Sequence, residues 1–402
     1  MSVEFLGMGA TNDQSDLRPR TTEVFDLEHL RRVVRVHEES GFQHLLFAYG
    51  SDSPDPLTAA TAAAIASSDL QLRLAHRPNT VFPTVAAKQF LTLDHISDGR
   101  LTVHLITGGS QAEQAREGDR LSKDDRYART HEYLRILLRA WSEEEPFDHR
   151  GTYYSFDGHH SAIRPLRGVR PTVSFAGSSP AAWRSGAALG DIYTLFGEPL
   201  AETRALQRAI LEEAGAQGRT RPLRWQIAFR PIIAPTEAQA WERAERILEG
   251  LRTRAEQGAI PGQTHRQNPS GGPENAGSQR LLAAAERGDL QDRALWTAPA
   301  KVGWGAGSST ALVGSYQTVA RALMDYVDLG FEIFGVRGYE DVVTDAQEFG
   351  ENVIPLVKAE VERREADGWI GGAELAARIA AGEGVPDAPE PSSAGVSSAS
   401  RQ

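Results

Sequence analysis

Short β-branched or apolar runs alternate with longer amphipathic segments almost from end to end of this 402-residue chain, and few folds accept that rhythm. It is the pattern of repeated βα units around a parallel sheet. Eight strands are predicted, over residues 3–8, 43–48, 70–75, 101–106, 172–176, 191–195, 224–233 and 331–336. Helical spacing of apolar positions at i, i+3, i+4 and i+7 follows each strand, as in LEHLRRVVRVHEE and RYARTHEYLRILLRAW. A last helix, DAQEFGENVIPLVKAEVERRE, closes the series. The fold class is therefore α/β, a (β/α)8 TIM-type barrel with insertions, and an open doubly wound sheet is the alternative.

Two stretches interrupt the rhythm. Residues 144–170 carry turn residues and an alternating GTYYSF, which predicts a small inserted hairpin. Residues 254–303 are rich in Gly, Gln, Asn and Pro and read as a structureless insertion, either a lid or a disordered segment. The Pro/Ala/Ser-rich residues 382–402 are expected to be disordered. One domain over 1–367 accounts for the rest.

Composition removes whole classes of chemistry. There is no cysteine, so disulfides, thiolate catalysis and Cys-based metal sites are excluded. A formal charge of −11 without a basic run argues against nucleic acid and anionic membrane surfaces as partners. No apolar run approaches the ~20 residues that span a bilayer, and the start lacks a signal-peptide pattern, so a cytoplasmic location is expected.

In such a barrel the active site lies at the carboxyl ends of the strands. The residues there are Asn12, Tyr49 to Ser53, His76 and Arg77, Thr107 to Ser110, Gly177 to Ser179, Phe196, Arg230, and Arg337 to Tyr339. This set is polar and aromatic but poor in carboxylates. It lacks the clustered His, Asp and Glu of metal-dependent hydrolases, and His159 and His160 read as surface residues of the predicted hairpin. Glu198 and Asp191 do not make a convincing glycosidase pair.

AGSSPAAW (176–183) is more suggestive. A strand runs into Gly177, two hydroxyls and a Pro at a helix start, so free N–H groups and serines converge as they would around a phosphate. A plain helix cap by Ser178 or Ser179 is the competing reading. ITGGS (106–110) ends strand four with a hydroxyl and two glycines, which lets backbone approach a flat ligand.

Taken together, RPNTVFPTVAAKQFLTLDHISDGRLTVHLITGGS, DDRYART, FAGSSPAA, FGEP and GAGSSTALVG resemble the alkanesulfonate monooxygenase branch of the bacterial luciferase-like flavoproteins, over about residues 3–365. The resemblance implies a barrel, usually a homo-oligomeric dimer or tetramer. It also implies FMNH₂ delivered by a separate NAD(P)H-dependent flavin reductase, and O₂ adding to the reduced flavin to give a peroxyflavin. By motif, Ser178 and Ser179 with Gly177 take the phosphate, Tyr127 lies on the ribityl-phosphate side, Thr107 approaches the flavin ring, and 254–303 is the mobile lid. No metal or thiol is needed when a cofactor carries the redox step.

The substrate side departs from that family. Where the sulfonate enzymes place a His after strand one, a Cys after strand two, an Arg and a His on strand seven, a further Arg before the GAG block and a Trp after strand six, this chain has Asn12, Ser53, Ala228, Arg230, Gly303 or Trp304, and Phe196. Tyr339 is retained. Losing cations matters for a permanent anion. With Phe229 also nearby, the pocket is expected to be more aromatic and less basic than a sulfonate site, taking a less charged organosulfur, organonitrogen or aromatic compound; a larger organosulfonate is the alternative. Arg230 is assigned to anchoring substrate or stabilising an oxyanion, with a structural salt bridge as the competing reading. Tyr339 is assigned as a hydrogen-bond donor and His76 as a general base, each against a purely structural role. Two rivals keep the fold: hydride transfer with the deazaflavin F420, and a non-catalytic flavin-binding barrel.

Overall fold

The computed structural model describes residues 3–258, 273, 275–302 and 310–381. Eight parallel strands form the central sheet: β1 (Glu4–Met8), β2 (His44–Phe47), β3 (Gln71–His76), β4 (Leu101–Leu105), β5 (Thr172–Ala176), β6 (Ile192–Phe196), β7 (Arg224–Ala234) and β8 (Ile333–Val336). Each pairs with the next, and β8 returns to β1 through Glu4↔Ile333 and Phe5↔Phe334. The barrel is closed, so the open-sheet alternative falls and no edge of the eight is left to pair with another chain. Observed strand ends lie within two residues of the predicted ones.

Local chemistry explains the helices. Those at Pro56–Ala66, Pro83–Ile96 and Pro180–Leu189 begin with proline, whose missing N–H would be unbonded in the first turn anyway. The predicted last helix is two, Val342–Asn352 and Ile354–Ala366. Pro355 has no N–H to donate and its ring clashes with the preceding turn, so the chain breaks at Val353.

Strand alternation sorts side chains into two compartments. One face of each strand joins the helices in a continuous apolar layer that includes Phe5, Leu72, Leu74, Val103, Phe175, Tyr193, Trp225 and Phe334. The other face fills the lumen, where Leu6, Ile192, Ile333 and Leu46 form a separate small cluster. Polar residues of the same parity share that lumen. His44 bonds Glu4 at 2.8 Å, and His104 bonds Ser174 at 2.9 Å. The packed lumen leaves the C-terminal rim as the place for a ligand.

Residues 147–159 form a two-stranded antiparallel hairpin, Phe147–Arg150 with Ser155–His159. The insertion is not structureless, contrary to expectation: its described part carries a helix at Ala276–Arg287, a short antiparallel pair at Leu290–Gln291 and Leu295–Trp296, and a helical turn at Ala298–Val302. Gly and Gln content obscured the apolar spacing of Leu281, Ala284 and Ala285, which are buried. After it, Ala311–Ser315 forms a ninth parallel strand on the outer half of β7, with Ala311↔Arg230 to Ser315↔Ala234 in register. Residues 382–402 lie outside the described residues.

Candidate active site

β4 and β5 bring one group of predicted residues together. β5 runs into Gly177, and Ser179 caps the helix Pro180–Leu189, its Oγ accepting the Ala182 N–H at 3.4 Å. Gly177 is required by space: a Cβ there would lie 2.3 Å from the Ala182 Cβ and 3.0 Å from the Tyr127 hydroxyl. The Tyr193 hydroxyl donates to the Gly177 carbonyl at 2.8 Å and fixes the turn. Tyr127, on the helix Lys123–Ser142, is 6% exposed and hydrogen-bonds the side chains of both Thr107 and Ser179. Burial pushes its pKa up, outweighing those hydrogen bonds, so it stays a neutral phenol. Thus Thr107, Tyr127, Gly177, Ser178 and Ser179 share one corner of the rim, lined by hydroxyls and a helix N-terminus.

A residue outside the predicted set helps to hold that corner. Arg126 is buried; its Nε donates to the Thr107 carbonyl at 3.0 Å and its Nη1 to Leu121 and Gln111. Gly108 follows with φ +82°, a conformation that disfavours any side chain. Arg126 lies within DDRYART, so the motif flagged its position but not its task.

The opposite corner, at the ends of β7, β8 and β1, is ionic. Arg230 points to the rim, where its guanidinium bonds the Asp16 carboxylate and donates to the Gly338 carbonyl at 2.7 Å. The guanidinium carbon sits 3.6 Å from the centroid of the Tyr339 ring. Arg337 reaches the same Asp16 oxygen at 3.3 Å. Burial pulls the Arg230 pKa down, but Asp16 and Tyr339 more than offset it, so Arg230 is a permanent cation with its counter-ion in place. Asp16, in the loop after β1, was missed because nothing in its neighbourhood marks a partner that lies 214 residues away.

Other predicted residues lie elsewhere. His76 and Phe229 do not face the rim, contrary to expectation. His76 shares its strand face with Leu72 and Leu74, and its Nε2 meets the Tyr133 hydroxyl at 2.8 Å beneath Phe90. Burial lowers its pKa to about 4, so it is neutral and packed in the helical layer. Phe229 alternates with Arg230 and therefore points outward, 4.8 Å from Tyr326 between ring centroids. Asn12 donates its amide to the Val24 carbonyl at 2.9 Å, and Ser53 bonds the carbonyl of Gly50, so each is engaged within its own loop. Phe196 is half-buried and lies beside Gly277. Trp304 and Gly303 lie outside the described residues. Glu198 and Asp191 are bound to Arg280 and Arg170. Among the described residues no cluster of His, Asp and Glu suits a metal ion, and no helix is long and apolar enough to cross a membrane.

The sequence matches the description "Luciferase-like monooxygenase" over residues 6–332. The chain belongs to the luciferase-like monooxygenase family. Solved structures agree on the fold. An EDTA monooxygenase from Chelativorans sp. BNC1 superposes with a TM-score of 0.73 at 18% identity, covering 90% of this chain and 95% of that one. A riboflavin lyase, solved with a modified FMN and riboflavin, gives 0.70 at 21% identity, covering 95% and 96%. An F420-dependent secondary alcohol dehydrogenase, solved with an F420–acetone adduct, gives 0.64 at 17%, covering 89% and 99%. At these identities the likeness concerns the barrel alone.

Proposed function

We propose that this luciferase-like protein is a flavin-dependent monooxygenase that takes reduced FMN and O₂ and oxygenates a small organic substrate. The observation that carries the reading is the convergence of Thr107, Tyr127, Gly177, Ser178 and Ser179 at a helix N-terminus on the C-terminal rim. Such a corner fits a phosphate. The serine hydroxyls and the Ala181 N–H supply donors, and the helix dipole favours negative charge; Gly177 and Gly108 let the two loops pack closely against Ala182 and Gln114. Ser178 and Ser179 hold the phosphate, Tyr127 donates on the ribityl side, and Thr107, fixed through its carbonyl by Arg126, approaches the ring. Reduced FMN, when bound, supplies the electrons that activate O₂.

On the ionic corner, Arg230 and Tyr339 orient substrate, with Arg337 as the more exposed cation. Asp16 neutralises one of the two guanidinium charges and takes an N–H of each arginine, and Gly338 takes another from Arg230, which leaves a sulfonate fewer charge-assisted donors; we read the corner as suited to a polar, weakly charged compound. We place the chain beside the alkanesulfonate monooxygenases, with an altered substrate side and an organosulfur, organonitrogen or aromatic substrate; a larger organosulfonate with C–S cleavage is the alternative. A separate NAD(P)H-dependent flavin reductase as the source of FMNH₂, a homo-oligomeric state and a cytoplasmic location complete the proposal.

The second reading, F420-dependent hydride transfer, is favoured by the F420 enzyme among the structures that share this barrel. Equilibrium titration with FMN and with F420, followed by oxygen uptake on supplying FMNH₂, separates the two. FMN binding with oxygen uptake that depends on added substrate is expected. F420 binding without oxygen uptake overturns the proposal, and FMN binding with a decay that no compound alters leaves a carrier.

A further inference from the structure

The proposed phosphate corner is built from neutral groups, yet an FMN phosphate carries up to two negative charges, and its desolvation must be met by well-placed dipoles or cations. One arginine in the insertion bonds directly to that corner. Arg280, on the helix Ala276–Arg287, donates from Nη1 to the Ser178 carbonyl at 3.2 Å. Its Nε and Nη2 fork onto Glu198 at 2.9 and 2.7 Å. Glu198 is only 2% exposed, so it needs this partner; an unpaired carboxylate there is costly. The bond therefore fixes the helix against the rim.

What the helix presents there is its first turn. Gly277 packs so close that a Cβ built on it would lie 3.1 Å from the Ser178 Oγ and 3.5 Å from Phe196, while the Asn275 amide lies near Gly109. Asn275 caps this turn, accepting the Ser278 N–H at 2.7 Å. Ser178 is thus held from both sides, its carbonyl by Arg280 and its hydroxyl against Gly277. Two helix starts, at Pro180 and at Ala276, meet at Ser178.

Resting on the flavin reading above, we propose that Arg280 is a positioning residue that makes the site select phosphorylated flavin. It ties the insertion helix to the phosphate loop, sets the Ser178 peptide and hydroxyl, and completes the wall around the phosphate. The bonds of Arg280 go to Ser178 and Glu198, after β5 and β6, whereas the ring is assigned to Thr107 after β4, so the larger effect falls on the phosphate.

The test compares FMN with riboflavin, which lacks the phosphate, on the full chain. Because Arg280→Gln alone would strand Glu198, the variant is Arg280→Gln with Glu198→Gln, and Arg280→Lys is the conservative partner. The expected result is an FMN preference in the parent protein that falls ~10-fold in the double variant, with a much smaller change in riboflavin affinity and partial rescue by Lys. In addition, FMN but not riboflavin should slow amide exchange across residues 276–287. If the double variant keeps the full preference while Ser178→Ala with Ser179→Ala loses it, Arg280 has no such role and the phosphate corner stands. A parent protein that binds FMN and riboflavin equally overturns both the corner and this proposal.

Discussion

The two corners of the barrel mouth are built on different principles. At β4 and β5 the site is made of backbone shape: a glycine that alone fits against Ala182, a capped helix start, and hydroxyls within a few residues of strand ends. At β7, β8 and β1 it is made of charge, two arginines sharing Asp16 over an aromatic ring. The first kind of site is local in sequence and so leaves a readable motif. The second depends on partners hundreds of residues apart.

Acid should affect both corners at once and sets the range in which they can be compared. Burial holds His37 and His76 near a pKa of about 4 and His104 near about 3, with no carboxylate bonded to any of the three rings. These groups are neutral when folded and titrate near 6.5 when unfolded, so the unfolded chain binds more protons below that pH. Stability is therefore full above about pH 6.5 and is lost as pH falls toward 4, by at most roughly 1.4 kcal/mol per pH unit for each histidine. Urea midpoints measured from pH 8 to 4 check this; a flat profile between 6.5 and 4 would be inconsistent with buried neutral rings.

At neutral pH the largest change is expected at the shape-built corner. Ser178→Ala with Ser179→Ala should raise the FMN Kd by ~10-fold to 100-fold, as two charge-assisted hydrogen bonds are lost. Flavin fluorescence titration reads it, and unchanged affinity refutes the clamp. At the ionic corner Asp16→Asn should leave FMN affinity alone but tighten binding of a small sulfonate by ~10-fold, because Arg230 and Arg337 lose their shared counter-ion. If sulfonate affinity does not move, compensation by Asp16 is not what sets the charge preference.

The smallest effect marks the boundary of the site. His76→Gln should cost about 1 kcal/mol of stability through the lost Tyr133 contact, and should leave the pH dependence of turnover unaltered. A shifted pH profile would return His76 to the mechanism.

How much was legible follows the same division. All eight strands could be read because alternating β and α periods are local patterns, and the joint motifs named Thr107, Tyr127 and Gly177 to Ser179, which the fold gathers at one corner. The misplacements of His76 and Phe229 were avoidable: alternation along β3 and β7 puts Arg73 and Arg230 on the lumen side and their neighbours outside. The break at Pro355 was legible too. Asp16 and Arg280 were not. Asp16 gains meaning only when β7 is brought beside the first loop, and Arg280 sits in a segment whose composition hides a helix.

The most direct test of the central claim is product formation from FMNH₂ and ¹⁸O₂ with a panel of sulfones, aromatic amines and sulfonates, watched by mass. The account predicts a product carrying one ¹⁸O atom from a weakly charged member of the panel, absent without oxygen, with little sulfite from ethanesulfonate. Efficient sulfite release from ethanesulfonate would contradict the reading of the ionic corner, and no oxygen-dependent product from any compound would contradict the monooxygenase itself.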